Sequence, residues 1–463
     1  MTRPLRPEPV ADHDTSPASA GVLSGLLRPR GLRVPRHRAT TRHLACLYPA
    51  QTEPGLGPDG VYLGVDELAG GAAFCFDPFT LYSQGRLENP NMLIVGEPGF
   101  GKSTGVKTFL YRTLGTLGAP GPPDSPTAGG RWAAICDPKG EYRLLAEALG
   151  LQMVRLYPGC PDRVNPLDAG PSGAANPAEL TMRRTAMVYA LLTAVLRRAL
   201  TPVEEAGVAG AVAQLTSGSR HLEEPTLVDV SALLGAPTAQ MAAEAGLPAD
   251  RLGEECSSAR LGLGRLLSRD LRGMFDGRST VRIDWTGRGL VLDVSSVHHD
   301  PDALAVVMIP ATSWLQALMA DNRPDAPRKV QVIEECWAML RHERVAFYLQ
   351  SCWKLCRSYG VANIAVAHRL SDLRSQADDG TATAKVAMGL LADTQTRVIF
   401  RQSSSQIGEA KELLGLSDEA AAILPQLPKG AALWKVGETD ALVRHVISPA
   451  EAVICNTDGA LRV

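Results

Sequence analysis

The sequence lacks most of what would assign it to a special environment. Only 5% of its 463 residues are aromatic, and neither sign of charge dominates, with 47 Lys and Arg against 49 Asp and Glu and a formal net charge of -2. Such a balance leaves no electrostatic footprint for nucleic acid, so a DNA partner is not indicated by charge. The nine cysteines include no CxxC pair. That excludes a disulfide framework and suits reduced, buried thiols in a cytoplasmic protein; Cys136, ending an apolar run, is one of them. Cys352 and Cys356 lie one helical turn apart without a second ligand pair, so helix packing is expected there rather than a metal. A secretory signal is also missing, since the apolar stretch near the start, Val22 to Leu27, is too short for one. The best membrane candidate, residues 303–320, contains Pro310, Thr312, Ser313 and Gln316. Its place inside a folded region predicts a buried helix, not a membrane span. No internal repeat is visible.

What is present is an ordinary globular balance, 45% hydrophobic and 21% charged, in a chain long enough for two or three domains. Residues 1–45 read as a basic, Pro-rich tail, and the run 28–42 carries six arginines and no acid. It is taken as a solvated tail, the alternative being an arm that touches anionic lipid or nucleic acid. Residues 46–90 contain short alternating pieces, VYLGV and AAFCFD, expected to form a small β layer. MLIVG (92–96), WAAIC (132–136) and VQVI (330–333) are short β-rich runs, each followed by a helix-like segment, which predicts an α/β fold with a mainly parallel sheet. GLVLDVS (289–295), NIAVA (363–367) and TRVIFR (396–401) fit the same sheet. Residues 172–275 turn to Ala- and Leu-rich helical periodicity, broken only by a short PTLVDV, and read as an all-α insertion. It divides the α/β core into 91–171 and 276–463. The stretch 118–130 is a surface loop by composition.

After the strand MLIV comes GEPGFGKS, residues 96–103, a full match to G-x-x-x-x-G-K-[ST] with a strand before it and a helix after it. Its chemistry is that of a phosphate cradle. Gly96, Gly99 and Gly101 let the backbone turn its N-H groups inward around Glu97, Pro98 and Phe100, and the helix beginning near Thr104 adds its positive end. Lys102 supplies a point charge for the β- and γ-phosphates of ATP, and the Ser103 hydroxyl is a ligand for Mg²⁺. The cradle also accounts for VQVIEECW, where an apolar strand runs into two adjacent acids. Burying isolated carboxylates costs several kcal/mol. In nucleotide hydrolases built on such a loop, a second apolar strand beside the first ends in an acid of the Mg²⁺ shell, which assigns Glu334 to the metal and Glu335 to the attacking water.

Together with these two motifs, DPKGEY (137–142), VNPLD (164–168), MFDG (274–277) and SYGVANIAVAHRLSD (358–372) resemble the VirB-type ATPases of type IV secretion and conjugation, in the FtsK–HerA superfamily. The lead-in residues CLYPAQ (46–51) and 60–79 are similar to the segment that opens that motor domain, so the likeness runs from about Ala45 to the C-terminus. It implies a RecA-like P-loop core with an all-α insertion, a homo-hexameric ring, membrane-bound channel components as partners, and ATP-driven work at the inner face of the cell membrane, with peripheral membrane association. The sequence departs from the family in three ways: Glu334 replaces the usual Asp, His368 stands where the next strand usually ends in Gln, and only about fifty residues precede the motor.

The resemblance gives Asp137 and Lys139 a role near the nucleotide or the neighbouring subunit, and His368 the place of a γ-phosphate sensor. A ring ATPase also needs a cation reaching the next subunit's γ-phosphate. Arg397 and Arg401 share one face of TRVIFR opposite Val398 and Phe400. Arg401, at the carboxyl end, is the first choice and Arg397 the second. The function implied is a Mg²⁺-dependent motor for secretion or conjugative transfer. Its rivals are a DNA-pumping coupling ATPase of the same superfamily and a weakly hydrolysing, ATP-binding scaffold.

Overall fold

The computed structural model describes residues 55–118, 130–170, 177–320, 326–336, 353–354, 356–367 and 393–455, with the single residues 350 and 389. All lie in the compact unit Thr52–Val463. The arginine run 28–42, the lead-in 46–51, most of the loop 118–130, Cys352 and His368 fall outside the described residues.

Among the described residues, eleven strands form one sheet: β1 (Val61–Asp66), β2 (Ala72–Phe76), β3 (Met92–Val95), β4 (Arg131–Asp137), β5 (Gln152–Arg155), β6 (Gly289–Asp293), β7 (Arg328–Ile333), β8 (Val361–Ala367), β9 (Thr396–Ile399), β10 (Ala431–Val436) and β11 (Thr439–His445). Their order is β2-β1-β11-β10-β9-β3-β8-β7-β4-β6-β5. From β9 to β5 every neighbouring pair is parallel. The four strands beyond β9 are joined antiparallel. The N-terminal β layer is therefore a hairpin, β1–β2, continuous with the sheet through β1 and β11.

The parallel body is apolar because helices cover both faces, and strands β4, β6 and β8 are buried at every position. Alternate residues of β4 serve opposite cores. Trp132, Ala134 and Cys136 join the helices of the insertion, whereas Ala133 and Ile135 face the core that holds Val106, Phe109 and Leu110 of the helix Lys102–Leu117. Between residues 177 and 267 the described elements are all helices, from Pro177–Leu196 to Ser257–Leu267. The strand-like PTLVDV is a helix start: Thr226 and Asp229 cap Leu227–Gly235 reciprocally, and this local bonding wins over the β-branched composition. The apolar run 303–320 falls in the helix Pro301–Met319, long and apolar enough to cross a membrane but almost wholly buried inside the protein. Cys136, Cys160, Cys256, Cys336, Cys356 and Cys455 are free, buried thiols.

Two ionic contacts fasten this frame. Arg131, opening β4, donates to Asp77 at 2.7 Å with both side chains buried, while Asp77 also caps the helix Pro78–Ser83 through the Thr80 amide and hydroxyl. Arg112, on the helix Lys102–Leu117, forms a two-pronged contact with Glu451 at 2.6 and 2.8 Å and donates to the carbonyls of Tyr62 and Val446. It ties the antiparallel edge and the helix Pro449–Cys455 to the helix that leaves the phosphate loop. The Arg112 hydrogen bonds hold the Glu451 carboxyl down at about 2, against an ordinary 4.5. A depressed carboxyl contributes stability that is present above its unfolded value and is lost as pH falls through the folded one. Glu451→Gln should therefore lower stability near neutral pH by on the order of 2 kcal/mol and flatten the acid limb between about pH 4.5 and 2, as denaturant melts across pH would measure.

Candidate nucleotide-binding and catalytic site

The carboxyl edge of the parallel strands collects the polar groups singled out in the sequence. The loop Gly96–Ser103 follows β3, and the backbone of β9 continues beside it, with the Phe400 amide on the Val95 carbonyl at 2.8 Å and the Glu97 amide on the Arg401 carbonyl at 2.9 Å. Gly96 is obligatory for packing, because a Cβ there would lie 2.5 Å from Cβ of Phe400. Gly101 is obligatory for conformation: it precedes the helix Lys102–Leu117 at φ 109°, in the left-handed region. Pro98 and Gly99 form the exposed tip, while Ser103 and Thr104 are half-buried in the first helical turn. The buried Lys102 ammonium donates to the carbonyls of Gly96 and Glu97 at 2.5 and 2.9 Å. Burial and the nearby Lys139 pull its pKa down to about 8, against the opposing pull of Glu334, Glu335 and Glu97.

The acidic strand is not the immediate neighbour of the loop strand, as the sequence reading had it. β8 lies between β3 and β7, and β4, carrying Asp137, lies on the far side of β7. Glu334 and Glu335 follow β7 directly and are 5% and 3% exposed, so they are interior groups rather than the wetted end of a strand. Each has its own partner. Tyr142 donates its phenol proton to Oε1 of Glu334 at 2.6 Å. Lys139 pairs with Oε1 of Glu335 at 2.5 Å. Burial pushes the Glu334 carboxyl up to about 7, with Tyr142 and Lys139 opposing the rise. Lys139 is drawn down by burial but held above its ordinary value by Glu335. Glu335 has φ 53°, left-handed backbone in a non-glycine residue. Conformations of that kind cost about 1–3 kcal/mol and persist where the surroundings over-determine them, commonly at functional sites.

The turn that supplies both partners is built on Asp137. Its carboxylate accepts from the amides of Lys139, Gly140 and Tyr142 at 3.1, 2.9 and 2.9 Å. DPKGEY is thus a strand-to-helix turn, and it also delivers Lys139 and Tyr142 to the two acids; the helix that follows is Arg143–Leu149. The sequence reading named Lys139 and missed Tyr142, whose one signal was its place at the end of that motif.

The two arginines separate. Arg397 is partly buried and donates to the Leu414 carbonyl at 2.8 Å, the last residue of the helix Ile407–Leu414. Arg401 stacks on Phe100, its guanidinium carbon 4.8 Å from the ring centre. Arg401 thus rests on the aromatic residue of its own chain's loop. Val398 and Phe400 share one core and Ile399 joins the other, as a period of two requires.

The oxygen donors suit a small hard cation. Mg²⁺ is bound through one or two protein oxygens together with phosphates and water. Ser103 offers a hydroxyl, and Glu334 offers the carboxylate oxygen that Tyr142 does not engage. Among the described residues, no group of three His, Cys, Asp or Glu is placed to hold a metal ion.

A parallel sheet with a glycine-rich phosphate loop after one strand and acids after another defines a RecA-like P-loop NTPase core. No protein-family model and no curated protein matches the sequence. Among solved structures, the fold is shared with VirB4 of Thermoanaerobacter pseudethanolicus, at TM-score 0.65 and 19% identity over 86% of this chain and 100% of that one. It is shared as well with the plasmid coupling protein TrwB in complex with ADP and Mg²⁺, at TM-score 0.54 and 16% identity over 87% and 92%. TrwB with the ATP analogue ADPNP gives TM-score 0.54 at 15% identity over 87% and 92%. The fold is thus shared with VirB4 and with the plasmid coupling protein TrwB.

The burial of Lys102 separates its role in binding from any role in folding. Lys102→Met should weaken ATP affinity by about tenfold or more, the scale of charged hydrogen bonds to phosphate. Its melting temperature without nucleotide should equal or exceed that of the parent, because the charge is disfavoured where it stands. Fluorescent-nucleotide titration and a thermal melt check the two halves.

Proposed function

We propose that this chain is a Mg²⁺-dependent ATPase that energises a type IV secretion or conjugative transfer apparatus, working as a homo-hexamer against membrane-bound channel components at the inner face of the membrane. The observation that carries the reading is the pair of buried acids after β7 within electrostatic reach of the loop lysine. A fold shared with VirB4 and TrwB supports it.

In this reading the loop amides and Lys102 bind the β- and γ-phosphates, and Ser103 and Glu334 hold Mg²⁺. Bound there, the metal supplies positive charge against the phosphate oxygens. Glu335 accepts a proton from the attacking water, and Lys139 fixes where its carboxylate points. The strained backbone of Glu335 turns this side chain to a partner different from that of Glu334. Arg401 is assigned to the transferred phosphoryl group, since Arg397 is engaged at the end of a helix. The trans-acting role of Arg401 and the sensor role of His368 belong to the same reading.

Two other readings have specific support. Likeness to TrwB favours a DNA-coupling motor. The partners already held by both acids favour a scaffold that binds ATP and hydrolyses it slowly. Steady-state hydrolysis with and without DNA separates them: a secretion motor turns over ATP independently of DNA, a coupling motor is stimulated by it, and a scaffold shows binding without turnover.

Glu335→Gln should leave ATP binding intact and lower turnover by about a hundredfold or more, the range for loss of a general base. Turnover within a few fold of the parent would remove Glu335 from the water-activating role. For Arg401, mixtures of Arg401→Ala and Glu335→Gln subunits should regain activity that neither has alone, because a mixed interface pairs an intact glutamate with an intact arginine. Mixed rings that assemble without recovery would confine Arg401 to its own chain's loop.

A further inference from the structure

We propose that Tyr142 is a positioning residue of this site: its hydroxyl fixes one oxygen of the long Glu334 side chain and leaves the other directed for a cation. The inference rests on the reading of Glu334 as a ligand of Mg²⁺.

Three contacts hold Tyr142 in place. Its amide donates to Oδ2 of Asp137 at 2.9 Å. Its ring lies 5.0 Å from the ammonium of Lys107, a fully buried residue of the helix Lys102–Leu117. That ammonium makes no hydrogen bond, and the face of Tyr142 stabilises it together with Glu141 at 3.7 Å. The third contact is the phenol itself, 2.6 Å from Oε1 of Glu334, with Tyr142 only 1% exposed. Tyr142 thus links the helix behind the phosphate loop to the acid that ends β7, two strands away.

The chemistry makes this link consequential. Glutamate has one more rotatable bond than aspartate, and Mg²⁺ requires near-ideal octahedral geometry. A bond to one carboxylate oxygen removes the rotational freedom of the longer arm and leaves the other oxygen directed for a cation. Aspartate at 334 would end about 1.5 Å short, one carbon–carbon bond, and would lose the phenol.

The test reads metal requirement, not hydrolysis: a fluorescent ADP analogue is titrated against the full chain at increasing Mg²⁺, with a chelator series giving its metal-free affinity. Tyr142→Phe keeps the ring over Lys107 and the backbone bond while deleting only the hydroxyl. It should raise the Mg²⁺ needed for half-maximal binding by about tenfold, the scale of one hydrogen bond to a charged group, and leave metal-free affinity unchanged. In a Glu334→Asp background the same change should have an effect below about twofold, because the hydroxyl would then have no carboxylate to hold, and such non-additivity marks two residues that interact. Glu334→Asp alone should also raise the requirement, which keeps the proposal testable should Tyr142→Phe fail to fold. No rise in either single variant, or equal effects of Tyr142→Phe with Glu and with Asp at 334, would overturn the role of Tyr142. Glu334→Gln distinguishes the layers: if it leaves the Mg²⁺ requirement unchanged, the metal reading falls and the Tyr142 role with it, whereas a strong rise there beside no effect of Tyr142→Phe sinks the Tyr142 role alone.

Discussion

Two carboxylates stand out of water at the end of β7, and the surrounding structure is arranged around that fact. The penalty for burying such charges is several kcal/mol each unless partners compensate. Here the compensation comes from one turn, residues 137–142, which brings an ammonium to Glu335 and a phenol to Glu334. The turn is held by Asp137, whose carboxylate gathers three amides of the same segment. Burial raises the Asp137 carboxyl, and hydrogen bonds from the amides of this turn, Tyr142 first among them, oppose that rise. A short stretch of chain after β4 therefore controls the acids after β7, because the two strands are hydrogen-bonded neighbours in parallel register, with Cys136 opposite Ile333.

The same edge brings the phosphate loop and the acids within electrostatic reach of each other although β8 separates their strands. Lys102 reaches inward from the start of its helix and is sensitive to Lys139, Glu334 and Glu335 alike. On the other flank, β9 brings Phe400 against Gly96 and Arg401 against Phe100, so the loop is packed from below and from the side. Nothing larger than glycine fits at 96 without moving β9. The antiparallel extension serves the site indirectly, through Arg112 on the far part of the loop helix, which bonds Glu451 and the Val446 carbonyl.

Much of this was legible in the sequence, and for identifiable reasons. GEPGFGKS between a strand and a helix is a local motif whose spacing states its own geometry, and the strands around it were apolar runs with turn residues at their ends. The burial of residues 303–320 was legible too, from the polar groups inside an apolar run. What escaped was non-local. That β8 intervenes between the loop and the acids is a matter of strand order, which no spacing along the chain encodes. The short, half-exposed β5 carried little pattern. The hairpin β10–β11 did carry a signal, Gly437-Glu438 between two β-rich runs, with Val436 pairing to Thr439. Tyr142 was hidden because its partner is 192 residues away. PTLVDV misled in the opposite sense, since its composition favours a strand while its Thr and Asp cap a helix.

In the proposed function, ATP sits on the loop after β3, its metal held by Ser103 and Glu334 and its γ-phosphate toward Glu335. A crystal structure with a non-hydrolysable ATP analogue and Mn²⁺, located by its anomalous scattering, tests this most directly. The expected result is a metal peak within coordination distance of the Ser103 hydroxyl and the Glu334 carboxylate, with Lys102 shifted from the carbonyls of Gly96 and Glu97 onto phosphate. A metal peak away from both residues, or a nucleotide bound anywhere other than the loop, would contradict the account.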